Sequence, residues 1–383
     1  MKILYCTNSI RYLGGIQRVT VTKANALAEM PGYEVWIAVT DNKAGELTVK
    51  LSPKVHLVDL DVNYYADDQI SKLHVLKGIV VKRQTHRKRL KKLIDDISPD
   101  IIVATGGCEK YFVPSIAGNP KTIREIHFST GYRMEHARKN GSLFEKVSAR
   151  VADFIDFRFG VRKYDRLVLL TQEDLDDNWN GFDRAVAIHN PVGFSTKTVS
   201  DLTAKELIAV GRLDGQKDFH SLLRIAKMVF DRHPDWHLTI LGEGPERQSL
   251  EMLANELGIS EKVSMPGIVD NVPERLRGAS VMCMTSRYEG LPLSLVEAME
   301  CGLPCVAYAC KCGPKDIFST PEEGGFLIAP GDEDGFATTV CRLIESEDLR
   351  REMGHAAKHR AADFTVGKIM SQWTKLFETL TDK

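Results

Sequence analysis

The chain has 383 residues, with 51 lysines and arginines against 52 aspartates and glutamates, 43% hydrophobic and 27% charged residues. That composition belongs to a folded globular protein with a full core and excludes a disordered or fibrous one. The near-neutral balance and the lack of a nucleic-acid motif exclude a nucleic-acid partner, and no run reaches the roughly 18 apolar residues of a membrane span.

The chain opens on a strand, Lys2–Cys6, with no apolar core or cleavage site of a signal peptide, so a cytoplasmic location is expected. A Gly14-Gly15 loop and a helix near Ile16–Met30 follow. Strands are predicted at Tyr33–Val39 and Val55–Leu57, then a helix at Leu76–Ile97, then strands at Asp100–Ala104 and Thr122–Ile126. A long helical stretch leads to strands Arg166–Leu170 and Ala185–His189. Such alternation predicts a parallel sheet with helices on both faces.

Residues 1–190 hold 29 basic against 23 acidic residues, and the remainder 22 against 29. The densest basic run is Lys82–Lys92. The plain reading is a solvated helix face. The sharper one is attraction to an anionic membrane surface, here the inner face of the cell membrane.

Ser195–Ala204, rich in Ser and Thr, reads as a linker. The alternation then restarts, with strands at Glu206–Val210, His237–Leu241, Val263–Met265, Val281–Met284, Pro304–Ala307 and Gly325–Ile328. Helices are predicted at Phe219–His233, Pro245–Leu257, Val272–Gly278 and near Leu293–Cys301. The chain closes on helices Asp334–Ser346, Leu349–Ala362 and Val366–Leu380. The expected fold class is α/β, with two doubly wound, Rossmann-like parallel-sheet domains over residues 1–190 and 191–365. Open parallel sheets bind ligands at the carboxyl ends of their strands. Two such sheets face to face place the expected site in the cleft between them.

Two segments after strands carry the chemistry. Thr285–Pro304 contains E-G-L-P-L-S-L-V-E. Gly290 permits close backbone approach, and Pro292 and Ser294 suit a helix start. The amides at that start favour a diphosphate. Glu289 and Glu297 can accept sugar or ribose hydroxyls, or they can be a surface acid and a dipole-complementing acid. The second segment, Val210–Phe219, carries Arg212 and Lys217 in a Gly-containing loop. Two such cations can stabilise a departing nucleoside diphosphate, or they can be ordinary solvated charges.

The eight cysteines lack the paired spacing of a zinc site and are expected to be reduced, buried thiols. The acids at Asp174–Asp177 and Asp332–Asp334 are expected to be solvated. No metal or other cofactor is expected.

In order and spacing these motifs resemble glycosyltransferase family 4, of the two-domain GT-B architecture. The matching residues are Glu289 and Glu297, the G-R-x-x-x-x-K loop at Gly211, Arg212 and Lys217, and Gly14-Gly15. L-G-x-G-P at Leu241–Pro245 and P-G-x-V-D-N-V at Pro266–Val272 match as well. The resemblance covers essentially the whole chain and is densest between 205 and 330.

It implies retaining transfer of a hexose or N-acetylhexosamine from a nucleotide sugar, expected to be UDP-linked. The acceptor would be a glycan or a lipid-linked glycan. By the same resemblance Arg212 and Lys217 hold the diphosphate, Glu297 the ribose and Glu289 the transferred sugar. Gly290, Ser294 and Leu295 contact sugar or phosphate, and Val269 lies against the base. Gly14 and Gly15 admit the donor phosphates, and His127 steadies the donor sugar. Residues 1–190 then bind the acceptor, 191–365 the donor, and the helix 366–383 with Trp373 crosses back to the first domain. Tyr308–Ile317 resembles a sub-pattern, D-C-x-x-G-P-x-E-I, frequent in bacterial surface-polysaccharide enzymes. Here Ala309 and Asp316 replace its acid and glutamate. A nucleotide-sugar epimerase of the same architecture and a non-catalytic sugar-nucleotide-binding protein are the rival readings.

Overall fold

The computed structural model describes residues 1–11, 14–41, 50–64, 72–140 and 142–382. The chain forms two compact units. Unit 1 comprises Met1–Leu170, Asp174–Gly193 and Val366–Lys383, and unit 2 comprises Thr171–Glu173 and Phe194–Thr365.

In unit 1 the strands are β1 (Lys2–Thr7), β2 (Glu34–Val39), β3 (Val55–Asp59), β4 (Ile101–Ala104), β5 (Lys121–Ile126), β6 (Arg166–Leu169) and β7 (Ala185–Ala187). They pair in parallel in the order β3-β2-β1-β4-β5-β6-β7. Unit 2 contains β8 (Glu206–Val210), β9 (His237–Leu241), β10 (Val263–Gly267), β11 (Val281–Met284), β12 (Cys305–Tyr308) and β13 (Gly325–Ile328). These too are parallel, in the order β10-β9-β8-β11-β12-β13. Both sheets are doubly wound, as predicted. Strands β4, β11 and β12 are four-residue apolar runs buried throughout, as parallel sheets under helices favour. The order reverses between β1 and β4 in unit 1 and between β8 and β11 in unit 2. The loops leaving those strands sit at the switch points where open sheets take ligands.

The covering helices obey the 3.6-residue period. Helix Phe219–Arg232 buries Leu222, Leu223, Ala226, Val229 and Phe230 on one stripe, each such side chain contributing about 1.5–3 kcal/mol for the larger ones. Helix Val366–Thr381 completes the core of unit 1. Its Ile369, Met370, Trp373 and Phe377 pack with Ile3, Tyr5, Val21 and Leu27.

Two sequence expectations need correction. The Ser/Thr-rich stretch 195–204 is anchored on unit 2. The Ser200 hydroxyl donates to Ala279 O at 2.6 Å, and Lys358 donates to Thr196 O at 2.8 Å. Leu202 is buried. Its polar side chains therefore serve as hydrogen-bonding partners, where a free linker would leave them in water. Asp174 is likewise buried, and it accepts from the Thr130 amide and hydroxyl, each at 3.0 Å. Asp332, in contrast, is exposed as expected, and it caps helix Glu333–Glu345 by accepting from Gly335 N at 2.9 Å.

The basic run 82–92 lies on helix Lys72–Ile97. His86 and Leu90 point into the core. Lys82 and Arg89 donate to the carbonyls of Asn63 and Leu60, and Lys92 pairs with Asp96 at 2.7 Å. Much of its charge is thus engaged within the chain. Among the described residues no helix is long and apolar enough to cross a membrane.

One helix inverts the usual arrangement. Leu143–Ile155 starts with a Ser142/Glu145 capping box and buries none of its residues, although it is strongly amphipathic. Its apolar side chains face outward: Leu143 and Phe144 are each 80% exposed.

Candidate functional site

In unit 2 the two chemistry-bearing segments follow the adjacent strands β8 and β11, which pair through Val281–Leu207 and Met282–Ile208. Their loops are joined at several points. Thr285 Oγ1 donates to the carbonyls of Lys217 and Asp218, each at 3.1 Å, and Arg287 N donates to Gln216 O at 2.8 Å. The Arg287 guanidinium grips both carboxylate oxygens of Asp218 at 2.8 Å. That fork holds Asp218 in a left-handed conformation (φ 49°) at the start of helix Phe219–Arg232, uncommon for a non-glycine residue though best tolerated by Asp and Asn. Neither Arg287 nor Asp218 was singled out from sequence; a double-donor fork between loops has no signature in spacing.

Lys217 and Glu289 meet directly. Nζ lies 2.6 Å from Oε1, with Lys217 16% and Glu289 8% exposed at the side chain. Gln216 Nε2 donates to Tyr288 O at 3.0 Å and reaches Glu289 Oε2 at 3.4 Å. The backbone of Glu289 is tied to the Lys311–Cys312 segment after β12 through Glu289 N to Lys311 O at 3.0 Å. Arg212, in contrast, is 70% exposed and bonded to Asp214 through Nε at 2.5 Å. It stands at the rim while Lys217 is inside.

The glycines of the motifs have physical reasons. A Cβ on Gly211 would lie 2.8 Å from Lys217 Cε, so the Lys217 stem folds over that glycine. Gly242 has φ 148°, and a Cβ there would stand 1.9 Å from Gly211 O; one on Gly244 would stand 2.3 Å from Leu213 O. Loop 242–244 therefore packs backbone to backbone beneath loop 211–213, and Leu213 N donates to Glu243 O at 3.0 Å. A Cβ on Gly313 (φ 103°) would likewise stand 2.7 Å from Gly290 O. A Gly242→Ala variant is expected to lose about 2 kcal/mol or more. It should also raise the KM for donor several-fold as the loop carrying Lys217 shifts. Thermal unfolding together with donor titration checks this, and an unchanged KM with a lowered Tm would confine the glycine to a stability role.

Helix Leu293–Glu300 begins after Pro292. The Leu295 amide donates to Pro292 O at 3.0 Å. The Ser294 hydroxyl is buried with no hydrogen-bond partner, as is that of Ser286. Buried hydroxyls of this kind call for an acceptor or donor from a ligand or water. Glu297 is 3% exposed, and it lies past the first turn of helix Leu293–Glu300, a turn that holds no acid. Val269 lies half-buried between β10 and helix Val272–Arg277. All eight cysteines are free, seven of them buried. No group of three or more His, Cys, Asp or Glu among the described residues could hold a metal ion.

In unit 1, Gly14 and Gly15 start helix Gly15–Ala28 after β1, with Gly14 as its extended N-cap. Space at Gly14 is limited by Gln17, while a Cβ on Gly15 would meet nothing within 4 Å. His127 directly follows β5 and is 8% exposed. Its Nε2 lies 3.6 Å from Glu125 Oε1. Glu125 also receives the Lys23 ammonium, both side chains being fully buried. Lys23 sits 4.3 Å from the Trp373 ring centroid, a cation–π contact. Burial drives the His127 pKa down to about 4, opposed by Glu125 and assisted by Lys23. The ring is therefore neutral at pH 7. Burial alone would raise the Glu125 carboxyl, yet the Lys23 ammonium bonded to it brings it below the ordinary carboxylate range. The structure thus adds Lys23 and Glu125 to the neighbourhood of His127.

Residues 194–360 match the family described as "Glycosyl transferases group 1". An uncharacterized glycosyltransferase of Haemophilus influenzae is 27% identical over 378 residues, covering 97% of this chain and 98% of that protein. The amylovoran biosynthesis glycosyltransferase AmsD of Erwinia amylovora is 31% identical over 241 residues, 61% of this chain and 67% of its own. A Campylobacter jejuni α-1,4-N-acetyl-D-galactosaminyltransferase, named for a diNAcBac-PP-undecaprenol-linked acceptor, is 27% identical over 95% of this chain and 94% of its own. Among solved structures, sucrose-phosphate synthase of Thermosynechococcus elongatus superposes with a TM-score of 0.78 at 17% identity over 99% of both chains. Anabaena HepE, solved with UDP and glucose, gives 0.73 at 19% over 99% of both. These likenesses show the GT-B fold. From the matched domain and the identity to AmsD over two thirds of that protein, this chain belongs to the glycosyl transferases group 1 family.

Proposed function

We propose that the protein is a retaining glycosyltransferase moving a hexose or N-acetylhexosamine from a nucleotide sugar, UDP-linked, to a glycan or lipid-linked acceptor in bacterial surface-polysaccharide synthesis. The observation that carries the reading is the Lys217–Glu289 pair, 2.6 Å apart on loops held together by Gln216, Thr285 and Arg287. One ammonium fixed by a carboxylate keeps further N–H donors for a diphosphate. As the bond from the anomeric carbon to the diphosphate breaks, negative charge grows on the leaving oxygen, and a cation already in place stabilises it without rearrangement.

In this reading Arg212 adds a second cation at the rim. Glu297 takes the ribose hydroxyls and Val269 the base, while Gly290, Ser294 and Leu295 line the turn against sugar and phosphate. Glu289 orients Lys217 and accepts from the transferred sugar. Gly14, Gly15 and neutral His127 are assigned to the donor phosphates and sugar. Residues 1–190 are assigned to the acceptor and 191–365 to the donor, and no metal is assigned a role. The relatives' names support the choice of pathway and of a lipid-linked acceptor, and the UDP in HepE supports the base.

A panel of nucleotide sugars is the test, reading released nucleoside diphosphate with wild type and Glu297→Ala. One donor should stand out, and the variant should lose its turnover. Equal turnover by Glu297→Ala on that donor would sink the ribose assignment, and an epimerised donor in place of transfer would move the protein to a different reaction.

A further inference from the structure

We infer that helix Leu143–Ile155 is a membrane-docking element whose partner is an anionic lipid surface. An α-helix advances about 100° per residue. Leu143, Phe144, Val147, Val151, Phe154 and Ile155 then fall within one sector of roughly 120°. Leu143 and Phe144 are 80% exposed, and the other four are each more than half exposed. The half-buried residues are Lys146, Ala149 and Asp153, on nearly the opposite side. Asp153 fixes that side to the protein by accepting from Arg133 Nη1 at 2.5 Å. The polar side of the helix is therefore the inward one, and the apolar side has been turned out.

An exposed apolar stripe of this size marks an interaction surface. Charge selects the occupant. Arg150, exposed, lies on one margin of the stripe with half-buried Lys146 behind it, positioned to extend toward phosphate headgroups while the stripe enters the acyl boundary. The acids of the segment do not oppose this. Glu145 is engaged in the capping box, Asp153 with Arg133, and Asp156 is buried among Arg124, Lys110 and Arg133. The exposed charge beside the stripe is thus positive. Phe159, 58% exposed in the following turn, extends the apolar surface. The stripe is a single convex helix face with a cationic margin. That suits insertion into a lipid interface better than pairing with a second copy, where like charges would meet. The inference stands apart from the donor assignment, since none of these residues belongs to it.

The experiment is sedimentation of the full chain with phosphatidylcholine vesicles, with and without about a third phosphatidylglycerol, at low salt. Wild type should pellet with the anionic vesicles. Leu143→Glu/Phe144→Glu should reduce pelleting by at least about tenfold. Arg150→Glu should remove the preference for anionic vesicles. Both variants change exposed side chains and should keep the wild-type circular-dichroism melt and donor turnover with a water-soluble acceptor. Three results would overturn the inference: unchanged pelleting of Leu143→Glu/Phe144→Glu; pelleting lost instead on reversing Lys88 and Lys91; or a wild-type dimer that this apolar-face variant dissociates while vesicles bind neither form. Loss of donor turnover with intact pelleting would count against the donor site alone.

Discussion

Lys217→Ala is expected to lower kcat/KM for sugar transfer by about 10²–10³-fold, roughly 3–4 kcal/mol of transition-state stabilisation. The side chain is nearly buried, bonded to Glu289 and laid across Gly211, so its ammonium is placed before the reaction begins. If it acts on the departing diphosphate, the loss falls on kcat as well as on KM. A rise in KM with kcat unchanged would reduce Lys217 to uniform donor binding. Lys217→Arg should recover little, because a planar fork does not reproduce a point charge in the space above a glycine. Glu289→Gln keeps an oxygen for Nζ but loses the charge that orients it, and its defect should lie between wild type and Lys217→Ala. Initial rates over a donor series separate these outcomes.

The second large effect is on stability. Glu125→Gln leaves the Lys23 ammonium buried without its carboxylate and is expected to destabilise unit 1 by about 3–5 kcal/mol. The double variant Lys23→Met/Glu125→Leu should regain most of that loss, since an apolar pair of similar volume removes both desolvation penalties. Hydrogen exchange at β1 and β5 amides reports unit 1 directly, where a whole-chain melt would mix two units. A loss below about 1 kcal/mol in Glu125→Gln would mean that Lys23 sheds its proton instead, a route that burial favours by lowering its pKa.

Much of the fold was legible because buried parallel strands are short apolar runs between turn residues. Glu206–Val210 and Val281–Met284 were read to the residue, and β7 and β10 differ by two residues at one end. The loops after β8 and β11 were also legible, since glycines and charges directly follow a strand. Contacts between chain segments were not. Lys23 sits at four-residue spacing between Val19 and Leu27, on the buried stripe of its helix, but only Glu125, about a hundred residues later, explains it. The amphipathicity of 143–155 is visible in the sequence, while the direction its apolar face points depends on Asp153 finding Arg133. Gly242 and Gly244 gain their meaning only from the backbone of 211–213 above them.

The packing of Trp373 against Lys23 and Tyr5 has a consequence for how the protein is made. During synthesis unit 2 emerges as one nearly unbroken segment and can fold as it leaves the ribosome. Unit 1 emerges first, yet it lacks the aromatic lid over its buried lysine until helix Val366–Thr381 has been translated. The half of the protein that is synthesised first is therefore completed last. A premature stop between Thr365 and Trp373 would leave the later half intact and cripple the earlier one.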